Sequence, residues 1–278
     1  MGLTIARVGC WMLLGLSMVA SAGALPRPWA SMLLSGTVDI NPDGGVRDVQ
    51  LDHPEKIPPV VLGVIRQTAK SWRFKVDVTG KVVARARMSL RIVAKPLERT
   101  KFSIEVEGMD FTDDSLTEGE QLLRQSTPIP SYPRDAISLG TSATVYVLAR
   151  VGRDGHVLDA GAEQVNFTMD CPRDSRKAIA NLFAHASELA MRHWTFAVPT
   201  KGPRAGDPYW YVRVPFAFQL SYDGMRPRAA AYASWQPYLP GERRPLSWLK
   251  EQSLAASAPD AVPDGQSSLL GGTLQLVQ

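Results

Sequence analysis

The chain has 278 residues, of which 45% are hydrophobic and 21% are charged, and a formal net charge of +4. These values suit one or two ordinary globular cores. The basic residues are dispersed along the sequence, so the charge does not indicate a nucleic-acid or membrane-surface partner. We expect no nucleic acid among its partners.

The N-terminus has the pattern of an export signal. Arg7 precedes an apolar run at 8–20, and Ala22-Gly23-Ala24 fits a cleavage site, so residues 1–24 are predicted to be a signal peptide. An uncleaved inner-membrane anchor is the alternative, but the run is shorter than the about 20 apolar residues of a spanning helix. Removal of the signal peptide also removes Cys10 and leaves Cys171 as the single cysteine of the sequence. An intramolecular disulfide is then impossible, but a disulfide between two copies could form a homodimer.

Residues 25–108 begin with a strand pair and a helix. An alternating run at 32–40 leads into the turn Asn41-Pro42-Asp43-Gly44-Gly45, and a return strand starts at Val46. Apolar residues at three- and four-residue steps predict a helix over Pro59–Ser71.

Two further strands are predicted in this first part of the chain, at Val82–Ala94 and Lys101–Gly108. One face of the former carries Arg85, Arg87 and Arg91. This row could bind an acidic partner, but pairing with Glu105 and Glu107 across a hairpin is the favoured interpretation.

Residues 109–126 are acidic and are predicted to be a linker with a short helix near Glu118–Arg124. Residues 127–222 then form the second unit. It is predicted to contain Pro130-Ser131-Tyr132-Pro133, a strand at Thr144–Val151, a Gly152–Gly155 turn with a return strand, a helix over Arg173–His193, and a last strand at Val212–Leu220. Pro215 favours an edge position for this last strand, because proline has no N–H to donate.

The two units show an internal repeat. Asp43-Gly44 matches Asp154-Gly155, and Trp72-Arg73-Phe74 matches Trp194-Thr195-Phe196. The predicted fold class is therefore α+β, with two tandem β-β-α-β units, each a small antiparallel sheet with one helix packed on it. The remaining residues, 223–278, are rich in Pro, Ala and Ser and are predicted to be a flexible tail, although its end at 273–277 could add a strand to an open sheet edge.

No catalytic or metal-binding pattern is present in the sequence. The four histidines have no spacing typical of metal ligands, and the sequence contains no nucleophile elbow, phosphate-binding loop or C-x-x-C motif. We therefore expect a protein that is not an enzyme, with no catalytic residues, no metal, no cofactor and no small-molecule substrate.

The second unit resembles the C-terminal domain of the energy-transducer TonB family. The resemblance consists of the P-x-Y-P element, the Asp154-Gly155 turn after an alternating strand, the Trp194/Phe196 pair at the helix end and the aliphatic-Phe last strand; the first unit matches as a degenerate copy. It implies a periplasmic protein that binds an extended segment of a TonB-dependent outer-membrane receptor, partly by strand addition. The implied partner-binding residues are Pro130, Tyr132, Pro133, Val212, Arg213, Val214, Phe216, Ala217, Phe218 and Gln219.

Two roles are compatible with this resemblance. The first is a TonB-family binding protein that acts with outer-membrane receptors in transport. The second is a soluble periplasmic scaffold or assembly module without energy transduction, whose open edges are filled by its own repeat or tail. The sequence has no Pro-Lys-Glu spacer before the domain, and its signal resembles a cleavable one, which favours a binding role over force transmission.

Overall fold

The computed structural model describes residues 29–76, 84–97, 101–112, 116–169, 171–221, 230–250, 258–270 and 274–276. The predicted signal peptide lies outside these ranges. Of the described residues, 43% lie in strands and 20% in helices. None of the helices formed by them is long and apolar enough to cross a membrane.

The first half of the described chain contributes six strands and two helical segments. They are β1 (Trp29–Ile40), β2 (Val46–Leu51), a 3₁₀ turn (Pro54–Lys56), α1 (Pro59–Ala69), β3 (Phe74–Val76), β4 (Ala84–Pro96), β5 (Phe102–Thr112) and β6 (Leu123–Ser126).

The remaining elements belong to the second unit and the tail. They are α2 (Arg134–Ser138), β7 (Ala143–Gly152), β8 (Val157–Phe167), α3 (Arg173–Arg192), β9 (Thr195–Ala197), β10 (Tyr209–Phe218), β11 (Gln236–Tyr238), a second 3₁₀ turn (Pro259–Ala261), β12 (Ser268–Leu270) and β13 (Leu274–Leu276).

The first large sheet is built around the long strand β1. One side of β1 pairs with β4 along almost its whole length, and the other side pairs with β2 near Ile40 and with β11 near Trp29. Between those two partners the Tyr232 hydroxyl donates to the Asp52 carbonyl at 2.8 Å and accepts the Ser35 N–H at 3.3 Å. β5 extends the sheet beyond β4. Helix α1 packs its buried stripe on one face of this sheet.

The second large sheet has the order β12-β10-β7-β8 and carries α3 on one face. Phe183 of α3 is fully buried, and its ring lies 5.7 Å from Tyr132, 6.4 Å from Phe167 and 4.8 Å from Phe218. The apolar residues of the three long strands, β7, β8 and β10, alternate toward this helix, which is why they form one contiguous core.

The two Asp-Gly turns make the same contacts. Gly44 and Gly155 have φ angles of 81° and 78°, a region that favours glycine. The carbonyl of Gly44 accepts the N–H of Phe74, and that of Gly155 accepts the N–H of Phe196, both at 2.9 Å. Each hairpin is therefore joined to the segment that follows its helix by an equivalent hydrogen bond.

The predicted fold class, two tandem β-β-α-β units, is wrong. The described chain is mostly β, and only three of its segments are α-helices. β5 extends the first sheet, the tail supplies β11, β12 and β13, and short two-stranded sheets form from β6 with β9 and from β3 with β13. The tail strands have only three residues each, too few for an alternating pattern to be visible in the sequence. β11 and β12 form where the longer strands β1 and β10 offer backbone groups for pairing, whereas β13 pairs with the three-residue strand β3.

The regions predicted as linker and tail are also more structured than their composition indicates. β5 continues to Thr112, and turns followed by β6 stand where a helix was predicted near Glu118–Arg124. The described part of 223–278 contains β11, β12, β13 and a 3₁₀ turn, in place of the flexible tail predicted there. Leu274–Leu276 forms a strand, the alternative considered for the end of the chain, and pairs with β3 in a separate two-stranded sheet.

The predicted hairpin of β4 and β5 is confirmed, but its charges pair differently. Arg85 bonds Asp39 at 2.6 and 2.8 Å, whereas Lys95 lies within 2.9 Å of both Glu105 and Glu107. Arg87 bonds Asp52, and this hydrogen bond lowers the pKa of the Asp52 carboxyl. Two of the three arginines of the row therefore bind aspartates, Asp39 of β1 and Asp52 just after β2, which supports the structural interpretation.

Candidate functional site at the outer edge of the second sheet

The strand register shows which backbone groups of β10 face outward. The N–H and C=O of Phe167 in β8 bond Leu239, so they point away from β7. Because neighbouring residues of a strand point their backbone groups to opposite sides, this assignment can be followed through β7 into β10. The outward residues of β10 are Tyr211, Arg213, Pro215 and Ala217.

Part of this outer edge is already paired. Tyr211–Arg213 pairs with the tail strand β12, antiparallel, with Tyr211 opposite Leu270 and Arg213 opposite Ser268. Within the described ranges, Val214–Phe218 has β7 as its single strand partner. The change falls at Pro215, which has no N–H to donate to an added strand. The edge therefore has an occupied half and a half that remains open in the described part of the chain.

The structure brings the P-x-Y-P element and the last strand together. The Tyr132 ring lies 5.4 Å from that of Phe218, and its hydroxyl donates to the Thr141 carbonyl at 2.7 Å. Pro130 and Pro133 on either side of it are half-buried. Tyr132 is partly buried, packs against the core and holds its segment next to the end of β10.

The predicted residues on the last strand differ in accessibility. Val212, Val214, Phe216 and Phe218 are buried against α3, whereas Ala217 and Gln219 are exposed. A partner could therefore meet the side chains of Ala217 and Gln219 directly, and the other positions mainly through their backbone.

Arg213 is used inside the protein. Its side chain is 1% exposed, and its Nε and one terminal nitrogen lie 2.5 and 3.0 Å from the carboxylate of Glu163 in β8, which is 3% exposed. This pair spans the face of the second sheet opposite α3. The guanidinium therefore stabilises the sheet, and only the backbone of Arg213 takes part in the edge.

Exposed apolar side chains lie in the segments that lead to Trp194 and to the end of β10. The Pro128 carbonyl accepts the indole N–H of Trp194 at 3.0 Å, and the next residue, Ile129, is 89% exposed. After α2, the Ser142 hydroxyl accepts the N–H of Leu220 at 3.1 Å, so this turn reaches the end of β10. Ile137 and Leu139 of the same segment are also exposed. These segments therefore offer exposed apolar area close to the end of β10.

The tail also joins the two large sheets through a buried polar layer. At the second 3₁₀ turn, the Asp260 carbonyl accepts Arg91 Nε at 2.7 Å, and the Ala261 carbonyl accepts the Ser89 hydroxyl at 2.5 Å. Asn166 of the second sheet donates to the Asp260 carboxylate at 3.1 Å. This turn therefore contacts both sheets at once.

One feature of the sequence, a glycine within a strand, indicates that the tail docks on the second sheet. Gly161 lies inside β8, and a Cβ there would come within 2.5 Å of the Leu246 side chain from the tail. Glycine within a strand often marks the close approach of another segment. Asn166 of the same strand is buried in the structure, and its side chain bonds Asp260 and Gly241 of the tail, which supply the partners that a buried amide needs.

Burial is the largest cause of the pKa shifts of the charged groups near this polar layer. Burial raises the pKa of Asp110 in β5, and the hydroxyl of Ser268 and the charge of Arg213 counteract part of that effect. Burial also lowers the pKa of Arg243. Within the described residues, no group of three His, Cys, Asp or Glu side chains is placed to hold a metal ion, and the Cys171 thiol is buried.

No family model, curated protein or solved structure matches this chain. The class of protein that the fold and the edge suggest is a small β-rich module with an exposed end of a strand.

Proposed function

We propose that this chain is a periplasmic protein-binding module that takes up an extended partner segment by strand addition on β10. The partner we propose, from the sequence resemblance, is the periplasmic segment of a TonB-dependent outer-membrane receptor. One observation carries the proposal: β10 already accepts an added strand, β12, and its outer edge continues past that strand to the exposed Ala217.

The backbone of the edge gives affinity, and the neighbouring surface adds to it. A partner strand that pairs with β10 from Tyr211 toward Phe218 lacks one hydrogen bond at Pro215, which has no N–H, and can pair again at Ala217. Its side chains can then cover the exposed apolar residues Ile129 and Ile137. Burial of such surface contributes about 25 cal/mol per Å² before the cost of ordering the partner.

The tail favours a second candidate, the periplasmic scaffold without energy transduction. β11 fills part of the edge of β1, and the segment around Leu239 bonds the edge of β8. A chain that pairs its own sheet edges in this way has fewer edges available for a partner strand. In that case Ala217 is expected to contact a second copy or another assembly partner, and no receptor.

A proline at position 217 tests strand addition directly. Ala217→Pro removes an outward N–H, leaves the pairing with β7 in place and changes an exposed side chain. We expect it to weaken binding of a synthetic receptor N-terminal segment about five- to tenfold, since one backbone hydrogen bond is lost. Fluorescence anisotropy measures this affinity.

Ala217→Ser is the matched control, because it keeps the N–H and adds a small polar group. It is expected to bind the peptide like the parent chain. Equal affinities of the proline and serine variants for the peptide would rule out an added strand at this position.

A further inference from the structure

The tail strand β12 is held by its side chains as well as by its backbone. Ser268 is 1% exposed, and its hydroxyl donates to the carboxylate of Asp110 in β5. Burial raises the pKa of Asp110, and the hydrogen bond from Ser268 counteracts part of this rise because it favours the charged carboxylate. The position therefore selects a side chain that is small and carries a hydroxyl.

The position two residues later selects an aliphatic side chain. Leu270 is 8% exposed and packs with Leu148 and Tyr211 on the face opposite α3, next to Leu246 and Trp248. Tyr211 and Trp248 stack there with their ring centroids 6.2 Å apart. Leu269, between the two selected positions, points the other way, as alternation along a strand requires, and is only half-buried.

The tail stops short of using the whole edge. With Ser268 opposite Arg213, a strand extended toward its N-terminus would place the residue four positions earlier opposite Ala217. The tail instead turns, with the Gln266 N–H donating to the Pro263 carbonyl at 3.1 Å, and leads back to the 3₁₀ turn between the sheets. A straight partner strand could make the same side-chain contacts and in addition pair at Ala217.

We propose that Ser268–Leu270 is an internal copy of the segment that β10 recognises, and that the partner strand displaces it. The partner segment then has a small hydroxyl residue, any residue and an aliphatic residue in that order, preceded by at least four extended residues. This inference rests on the proposed function and specifies its recognition. Because β12 is tethered, it competes at an effective concentration of about millimolar, so the partner must gain its advantage from the pairing at Ala217.

Peptide exchange on the nicked full chain tests the pattern. A protease site inserted between Ala255 and Ala256 is cut, and a fluorescent peptide of residues 258–278 is exchanged for the released tail. Unlabelled peptides then compete with it. We expect the Ser268→Ala and Leu270→Lys peptides to need at least about tenfold higher concentrations to displace the fluorescent peptide, because each loses a buried contact. The Leu269→Lys peptide, changed at the half-buried position, is expected to compete like the parent peptide. Equal losses for Leu269→Lys and Leu270→Lys would overturn the proposed pattern.

The uncleaved chain provides a second measurement. Leu270→Lys in the full chain detaches β12, so the affinity for a receptor N-terminal peptide is expected to rise about tenfold, whereas Leu269→Lys leaves it unchanged. Unchanged affinity in the Leu270→Lys chain would overturn displacement. If the receptor peptide in that case still binds Ala217→Pro more weakly than Ala217→Ser, strand addition on β10 is supported, and only the proposal that Ser268–Leu270 copies the partner segment is wrong. If the receptor peptide binds neither Ala217→Pro nor Ala217→Ser while the tail peptides exchange as expected, the proposal that the partner is a receptor is wrong instead.

Discussion

Replacing Arg213 with methionine is expected to lower the free energy of unfolding by about 3–5 kcal/mol, as is usual when one partner of a buried ion pair is removed. Glu163 would keep a carboxylate that is 3% exposed and would lose both bonds from the guanidinium, at 2.5 and 3.0 Å. Chemical denaturation followed by circular dichroism measures the difference between the variant and the parent chain.

Two further variants show whether the unpaired charge causes this loss. The double variant Glu163→Leu/Arg213→Met replaces both charges with apolar groups and is expected to recover most of the stability. Arg85→Met removes an arginine whose side chain is 63% exposed, and it is expected to cost much less than Arg213→Met, because solvent screens an exposed ion pair. A loss of less than about 1 kcal/mol in Arg213→Met would contradict the buried pair.

The second large effect is expected at the turn of the second hairpin. Gly155→Ala places a side chain at φ 78°, where a Cβ would lie 2.1 Å from the Phe196 carbonyl oxygen. The backbone must move, so the hydrogen bond from Phe196 to Gly155 is lost together with the favourable turn conformation. We expect a loss of about 3 kcal/mol in the free energy of unfolding, from backbone strain and the missing bond.

Gly44→Ala serves as a matched test and Gly206→Ala as a control. A Cβ at Gly44 also comes 2.1 Å from a carbonyl oxygen, that of Phe74, so a loss of similar size is expected. A Cβ at Gly206 meets nothing within 4 Å, and that substitution is expected to be nearly neutral. The equivalence of the two turns would be contradicted if Gly155→Ala behaved like Gly206→Ala.

The larger elements could be predicted because each carries its own pattern. Helices α1 and α3 lie where three- and four-residue spacing placed them, and β4, β7 and β10 follow runs of alternating or apolar residues. The matched Asp-Gly turns could also be found, since glycine at a tight turn has a local cause.

The fold class could not be predicted in the same way, because the missing strands depend on contacts far apart in the sequence. Ser268–Leu270 forms a strand where β10 offers an edge, and nothing within those three residues requires it. A composition rich in Pro, Ala and Ser indicated flexibility, although buried residues such as Pro259 and Ala261 of the tail fill the space between two sheets.

The candidate site was predictable in part. The order of motifs brought Tyr132 and the last strand together, and the structure places Tyr132 against Phe218. The outward direction of the Ala217 N–H follows from the alternation of backbone groups along β10. The role of Arg213 could not be predicted, since its partner Glu163 is 50 residues earlier in the chain and no local pattern links them.

In-cell photo-crosslinking from position 217 tests the central claim, strand addition on β10, most directly. A photoreactive amino acid in place of Ala217 is compared with one in place of Leu182, an exposed residue of α3, and the captured proteins are identified by mass spectrometry. We predict that position 217 captures the periplasmic segment of a TonB-dependent outer-membrane receptor and that position 182 does not. Capture of no receptor at position 217, or equal capture at both positions, would contradict the proposal.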